Sequence, residues 1–385
     1  LRIQRIHLTN FRNFGDVTID FGQRRNIVLG GNAQGKTNLL EAIHLLGVGR
    51  SHRDRRDAHL VRFGETFYRI EGVFEHIGVK TTIEVSYMPE RKRVRVNGKD
   101  ARPADLIGLV GVVISSPDDI DLIKGSPGFR RTFLDMALCQ ISREYLKDLQ
   151  SYFRALAQRN RLLKAAQGGA VDPSQMAAWD ASLTEAGARV VRMRLAYLTD
   201  IGPSVVENFG LISATRDGIS LRYDAKGYHI DSGPATGEDG DEVLAAITAG
   251  LGRALATHRQ IEQARGYTLF GPHVDDFRFL LGGRDIRHFG SEGEQRTAVL
   301  ALRCSEVSGM KQKTGRYPIV LLDDVFAELD EHRSRALTAL ISGFDQILLS
   351  SSRPAPKAEG DIHLITIVDG RIERSGPARG GSQDS

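Results

Sequence analysis

The sequence predicts an α/β fold with a second, mainly helical lobe that bears a short helical arm. Three observations predict it. Near the N-terminus an apolar run, Asn26-Ile27-Val28-Leu29, enters a glycine-rich break and then a stretch of helical spacing over 38–46. Near the C-terminus Ile319-Val320-Leu321-Leu322 is wholly apolar, as strands at the centre of a parallel sheet are. Between them, residues 117–207 carry helical rather than strand periodicity.

Composition agrees with a globular chain. Of 385 residues, 41% are apolar and 26% charged, too apolar for wholesale disorder and too long for one ordinary core. No apolar run approaches the roughly 18 residues that span a bilayer. The first residues alternate like a strand and lack the apolar block of a secretion signal, so a cytoplasmic protein with no membrane partner is expected. Cys139 and Cys304 lie far apart in helix-like patterns and read as buried free thiols. The net charge is +4, with basic residues mostly Arg. Arginine forks suit phosphate, but a GC-rich genome produces the same bias.

In order along the chain, residues 2–8 and 17–21 alternate as strands, and 26–29 is a third. Residues 66–74, 79–87 and 93–96 read as a strand meander, with a hairpin turn at Asn97-Gly98. Residues 111–114 form a buried strand. Two long helical stretches, 128–166 and 173–207, flank Gly168-Gly169 as a helical hairpin. At about 35 residues each they make an arm about 50 Å long. A loop at 231–241, a helix at 241–264 and a strand at 275–281 turning at Gly282-Gly283 follow. A helix at 292–311 precedes the apolar strand at 319–322. Strands at 347–349 and 362–368 complete the sheet, with a turn at Asp369-Gly370 and a disordered tail.

Gly30-Gly31-Asn32-Ala33-Gln34-Gly35-Lys36-Thr37 fits G-x-x-x-x-G-K-[ST] in full. Its glycines let the backbone curl so that successive N–H groups face phosphate oxygens, and the helix that follows, opening at Asn38, adds its N-terminal dipole. Lys36 is expected on the β- and γ-phosphates of a nucleotide and Thr37 on Mg²⁺. A glycine-rich turn without a ligand is the plainer alternative; the strand on one side and the helix on the other disfavour it.

Asp323-Asp324 ends the apolar strand at the sheet edge where such ligands bind. Alone, this is a solvated strand end. Beside the loop at Gly30, Asp323 is the expected Mg²⁺ ligand and Asp324 the group that polarises the attacking water.

Ser291-Glu292-Gly293-Glu294-Gln295-Arg296 lies about 25 residues before those carboxylates. By itself Ser291 is an ordinary N-cap. The S-x-G-x-Q spacing resembles the signature motif of ABC-type ATPases. Ala327-Glu328-Leu329-Asp330 resembles their D-loop, and Ser350-Ser351-Ser352 stands where they carry a switch residue. The fold expected is therefore a P-loop NTPase of the ABC-ATPase head type. That resemblance implies that Ser291, Gly293 and Gln295 contact the γ-phosphate of a nucleotide held by a second copy. About 255 residues separate the two motifs, more than in transporter subunits and fewer than in chromosome-structure ATPases with long coiled coils.

Nearly the whole chain resembles the RecF family of bacterial recombination mediators. The residues that carry this are Asn10-Phe11-Arg12-Asn13-Phe14, Ser51-His52-Arg53 and Ser116-Pro117-Asp118-Asp119. Gly125-Ser126-Pro127 with Arg130-Arg131, Trp179-Asp180 and Gly271-Pro272-His273-Val274-Asp275-Asp276 complete the set. The resemblance implies that Arg12 lies near the nucleotide phosphates. It implies an ATP-dependent homodimer on DNA, weak ATP hydrolysis, and cooperation with RecR and RecO in loading RecA at gaps. Val274 departs from the pattern, which usually has Arg there, and no Gln of the usual Q-loop is placed; 114–118 occupies its position without one.

Arg50, Arg53, Arg55, Arg56 and Arg62 form a basic stretch able to neutralise several DNA phosphates. Asp54 and Asp57 interrupt it, so a solvated or ion-paired face is the alternative. Arg91, Lys92, Arg93 and Arg95 form a second candidate. No base-reading motif is present, so sequence-independent binding is expected. The expected division is an ATP-binding lobe of 1–116 and 268–373, a helical lobe of 117–267 and a tail from 374, with limits around the signature left open. An ATPase with slow turnover competes with a binding module that uses ATP only as a bridge, and with a transporter-type subunit.

Overall fold

The computed structural model describes residues 1–54, 56–89, 91–167, 172–213, 218–228, 240–352 and 361–378. The chain forms two compact units, Leu1–Asp119 with Leu302–Ser385, and Ile120–Ala301.

The first unit opens with β1 (Arg2–Phe11), β2 (Phe14–Asp20), β3 (Arg25–Leu29) and α1 (Lys36–Val48). Next come β4 (Tyr68–His76), β5 (Val79–Met88), β6 (Arg91–Val96), β7 (Lys99–Ala101), the short α2 (Pro103–Leu106) and β8 (Val112–Ser115). Strands β2-β1-β4-β5-β6-β7 make an antiparallel sheet. Its β6–β7 turn follows turn chemistry: Asn97 and Gly98 both take positive φ, 49° and 75°.

The second unit contains α3 (Asp121–Lys124), α4 (Pro127–Ile141), α5 (Arg143–Ala166), α6 (Pro173–Ile212), β9 (Ile219–Asp224), α7 (Gly240–Thr257) and α8 (Arg259–Arg265). It continues with β10 (Asp276–Leu281), β11 (Arg284–Asp285), α9 (Ile286–Phe289) and the start of α10 (Glu292–Thr314). The single helix expected over 128–166 is two, because Ser142 leaves helical geometry (φ −139°) and caps α5, accepting from Tyr145 N at 3.1 Å. The helix expected over 241–264 likewise breaks at His258. The arm is uneven: α5 has 24 residues and α6 has 40. Gly168 and Gly169, and the loop at 231–239, lie outside the described residues. Strand β9 is an element beyond those expected; its Ile219, Leu221 and Tyr223 alternate with polar residues, and it pairs with β10 in antiparallel register, Arg222 opposite Arg278.

That pairing moves a boundary. Residues 268–301, which include the signature, group with the helical unit.

The chain returns to the first unit through the rest of α10, then β12 (Ile319–Asp323), α11 (Glu331–Ile341), β13 (Gln346–Ser351), β14 (Ile362–Val368) and β15 (Arg371–Pro377). The order β15-β14-β3-β13-β12-β8 is parallel except for β15. Residues 374–377, expected in the tail, are paired in β15; 379–385 lie outside the described residues. Helix α1 packs into one core with both sheets, Leu39, Leu40, Ile43 and Leu46 joining Ile6, Phe11, Leu321 and Ile367. Cys139 and Cys304 are buried thiols outside any disulfide, and burial pushes the Cys304 thiol up to about 12. Among the described residues no helix is long and apolar enough to cross a membrane.

Candidate functional site

Strand β3 delivers the chain to the glycine-rich loop. Ala33 and Gly35 take positive φ, 62° and 118°, and curl the backbone over the start of α1. No side chain caps that helix, so its first N–H groups remain available to an anion. Lys36, only 4% exposed, donates to the carbonyls of Gly30 and Gly31 at 2.9 and 3.0 Å and lies 3.9 Å from Asp324. A buried ammonium with two neutral partners beside an uncapped helix start fits a polyphosphate.

The loop is braced from two sides that motif reading did not reveal. Asn13 donates to the Gln34 carbonyl at 2.8 Å and accepts from Asn38 Nδ2 at 2.9 Å. At the β14–β15 turn, Asp369 N donates to Gln34 Oε1 at 2.5 Å and Gly370 N to Gln34 O at 3.1 Å. Gly370 has φ 69°, and a Cβ there would meet the Asn13 carbonyl at 2.3 Å, so glycine is required.

Asp323 and Asp324 end β12. Asp323 is 5% exposed and accepts from Ser350 Oγ at 2.6 Å, while the same oxygen accepts from Asp324 N at 2.9 Å. Asp324 has φ 47°, and its Oδ1 accepts from Ser352 N at 3.2 Å. The expected switch segment therefore holds both acids. The Thr37 hydroxyl and the Asp323 carboxylate are hard oxygen donors of the type Mg²⁺ takes.

Arg12 is held by Glu41 of α1, a carboxylate with no exposed side-chain surface. Its Nε and Nη2 donate to Glu41 at 2.9 and 2.7 Å, and Nη1 donates to His59 O at 3.0 Å. Ser51 Oγ donates to Glu41 at 2.5 Å, and Arg53 stands 3.8 Å away while donating to Asn38 Oδ1. Glu41 lies on the buried face of α1 and is read from sequence as an ordinary helix residue; only folding brings Arg12, Ser51 and Arg53 to it. Behind it, His44 and His52 stack edge to face at 5.1 Å. Burial lowers both pKa values, His44 well below the usual imidazole range.

In the helical unit, Ser291 does act as an N-cap. Its Oγ accepts from Glu294 N at 3.3 Å, its N and Oγ donate to the Glu294 carboxylate at 2.7 and 2.8 Å, and it remains exposed. Gly293 is half-buried in the first turn of α10. Gln295 departs from the expected ligand role: it is 5% exposed, and its amide donates inward to the carbonyls of Ile286, Arg287 and Gly290. It shapes the approach to the signature. Val274 N closes a turn on Gly271 O, and its side chain offers no phosphate donor. The neighbouring motif residues build internal ion pairs: Arg130 with Asp276, and Arg159 with Asp180 and Glu262.

Of the basic stretch, Arg50, Arg53, Arg56 and Arg62 are exposed, and Arg55 lies outside the described residues. The interrupting acids are occupied. Asp54 takes Arg56 N and the His59 ring, and Asp57 takes Tyr68 Oη and Lys92 Nζ, each at 2.6 Å. No ion pair of Arg50, Arg56 or Arg62 occurs among the described residues. In the second candidate, Arg93 and Arg95 share Asp100.

Residues 2–364 match the family model of the RecF/RecN/SMC N-terminal domain. The chain is 41% identical over 341 residues to the DNA replication and repair protein RecF of Symbiobacterium thermophilum, covering 87% of each. It is 37% identical to that of Heliobacterium modesticaldum, covering 97% of this chain and all of the relative. A solved structure of the recombination mediator RecF with ATP superposes with a TM-score of 0.87 at 32% identity, covering 96% of each chain. An Smc head superposes at 0.56 with 16% identity, a likeness of fold alone. The chain is a member of the RecF family of SMC-like ABC-type ATPases.

Proposed function

We propose that this chain acts in recombinational DNA repair as an ATP-dependent DNA-binding protein. ATP and Mg²⁺ would join two copies face to face on DNA, and slow hydrolysis would release them. The observation that carries this reading is the linked set Lys36, Asp324, Ser350 and Asp323, gathered at the ends of β12 and β13 beside the loop.

Lys36 would take the polyphosphate in exchange for the Gly30 and Gly31 carbonyls, with backbone N–H groups of 31–37 around it. Thr37 and Asp323 would hold Mg²⁺, whose positive charge would offset the charge on the phosphoryl oxygens. Asp324 would orient the attacking water. It is one methylene shorter than Glu and is engaged by Ser352 N, which fits slow turnover and keeps open a reading in which ATP serves mainly as a bridge. Ser291 would complete the site from the second copy. DNA would meet Arg50, Arg56 and Arg62, whose neighbouring acids are already paired. The relative solved with ATP is described as a mediator in the RecFOR pathway, which supports RecR and RecO as partners, with RecA downstream, in the cytoplasm.

The test is oligomeric state against ATP, with and without gapped DNA. Dimers should require ATP and be favoured by DNA. Lys36→Met should weaken them, and Ser291→Arg should block them while leaving nucleotide binding by the monomer intact. A constitutive dimer, or loss of monomer binding in Ser291→Arg, would overturn the bridge.

A further inference from the structure

Phe63 contributes nothing to the core of its unit. Its relative exposure is 103%. It is the second residue of a tight turn, Arg62 to Glu65, closed by Glu65 N donating to Arg62 O at 3.0 Å, with Gly64 at φ 87°. The second position of such a turn accepts most residue types, so the turn does not require a phenyl ring. Single exposed apolar side chains are ordinary; the surroundings set this one apart.

The turn has a firm base. Arg62 N donates to Asn10 O at 2.8 Å, Asn10 Nδ2 donates to Glu65 at 3.3 Å, and Val61 bridges to Phe11. Arg12 N donates to Leu60 O at 2.7 Å. The turn that carries the ring is thus anchored to the β1–β2 hairpin, whose Asn13 braces the glycine-rich loop. The Arg62 guanidinium lies against Gly15, where a Cβ would meet Nη1 at 3.0 Å. Along the same segment stand Arg50 and Arg56, exposed, while Asp54 and Asp57 are satisfied locally.

Uncompensated arginines select a polyanion. A solvent-exposed aromatic ring on an anchored turn gains from a flat apolar face. In continuous duplex DNA the base faces are stacked on one another and closed to a side chain; an unpaired base offers its face. We propose that Phe63 is a stacking platform for an unpaired nucleobase, with Arg56 and Arg62 holding the flanking phosphates, so that this surface favours a single-stranded stretch or its junction with duplex. The inference rests on the DNA-binding reading above and adds the feature of DNA that is recognised.

The experiment uses the full chain with ATP and Mg²⁺ against three probes: continuous duplex, the same duplex with a short gap carrying 2-aminopurine, and a single strand. Wild type should bind the gapped probe more tightly than duplex and change the 2-aminopurine fluorescence. Phe63→Ala should lose about tenfold on the gapped and single-stranded probes with duplex affinity unchanged. Phe63→Trp should retain gapped binding. A fully exposed side chain leaves the melting temperature of both variants near wild type. Equal loss on duplex and gapped probes, or no loss on any, overturns the platform; the latter assigns the ring to a protein partner. If wild type binds none of the probes, the DNA reading itself fails.

Discussion

Ser350 and Asp323 face each other across adjacent parallel strands, and the serine hydroxyl donates to the carboxylate at 2.6 Å. The same oxygen accepts the N–H of Asp324. One hydroxyl therefore orients the expected metal ligand and anchors the strained backbone of the residue expected to position water. Ser350→Ala removes a charge-assisted hydrogen bond and leaves the half-buried Asp324 N–H without its partner, a loss of about 1.5–3 kcal/mol. Nucleotide affinity in Mg²⁺ should fall about tenfold or more, and affinity without Mg²⁺ should change little. Titration of a fluorescent ATP analogue with and without Mg²⁺ separates the two.

Arg50, Arg56 and Arg62 lack acidic partners among the described residues. Replacing all three with Gln should lower the salt slope of DNA binding by about 2–3, near 0.9 per lost phosphate contact. An unchanged slope between low and physiological salt would remove this stretch from the footprint. Arg53 is a poorer choice, because it is tied to Asn38 and its loss would disturb the loop.

Burial holds His44 and His52 neutral, below the usual pKa of 6.5. Below that value the unfolded chain takes up protons that the folded chain refuses. Stability from these groups is complete above pH 6.5 and is lost as pH falls toward their folded values. At pH 5.5 each costs up to about 1.4 kcal/mol. The unfolding midpoint in urea should drop between pH 7.5 and 5.5. His44→Leu should flatten that drop.

Arg159 and Glu262 are both fully buried and paired at 2.6 Å, with Asp180 and Thr268 completing the guanidinium's partners. Glu262→Ala leaves an undercompensated buried charge and should destabilise the helical unit by about 3–5 kcal/mol. Limited proteolysis should then cut α5 and α8 well before the nucleotide-binding unit.

The sequence by itself determined the chemistry of the site. Gly30 to Thr37 and the strand ending at Asp323-Asp324 are local patterns, and local patterns are set by residue type and spacing. Glu41 was legible only as a helix residue, Asn13 only as part of the N-terminal family motif, and Asp369 and Gly370 only as turn residues. Their roles depend on chain segments remote in sequence meeting at one loop, which periodicity does not encode. The boundary at Ala301 rather than 267 followed from pairing of β9 with β10, a non-local contact.

Gln295 turned inward for a related reason: three carbonyls ahead of the signature helix needed donors, and only the fold puts them within reach. The tertiary structure likewise decided which charges remain free. Asp54 and Asp57 lie among the arginines in sequence, but folding spends them on His59, Tyr68 and Lys92, and so leaves Arg50, Arg56 and Arg62 facing solvent.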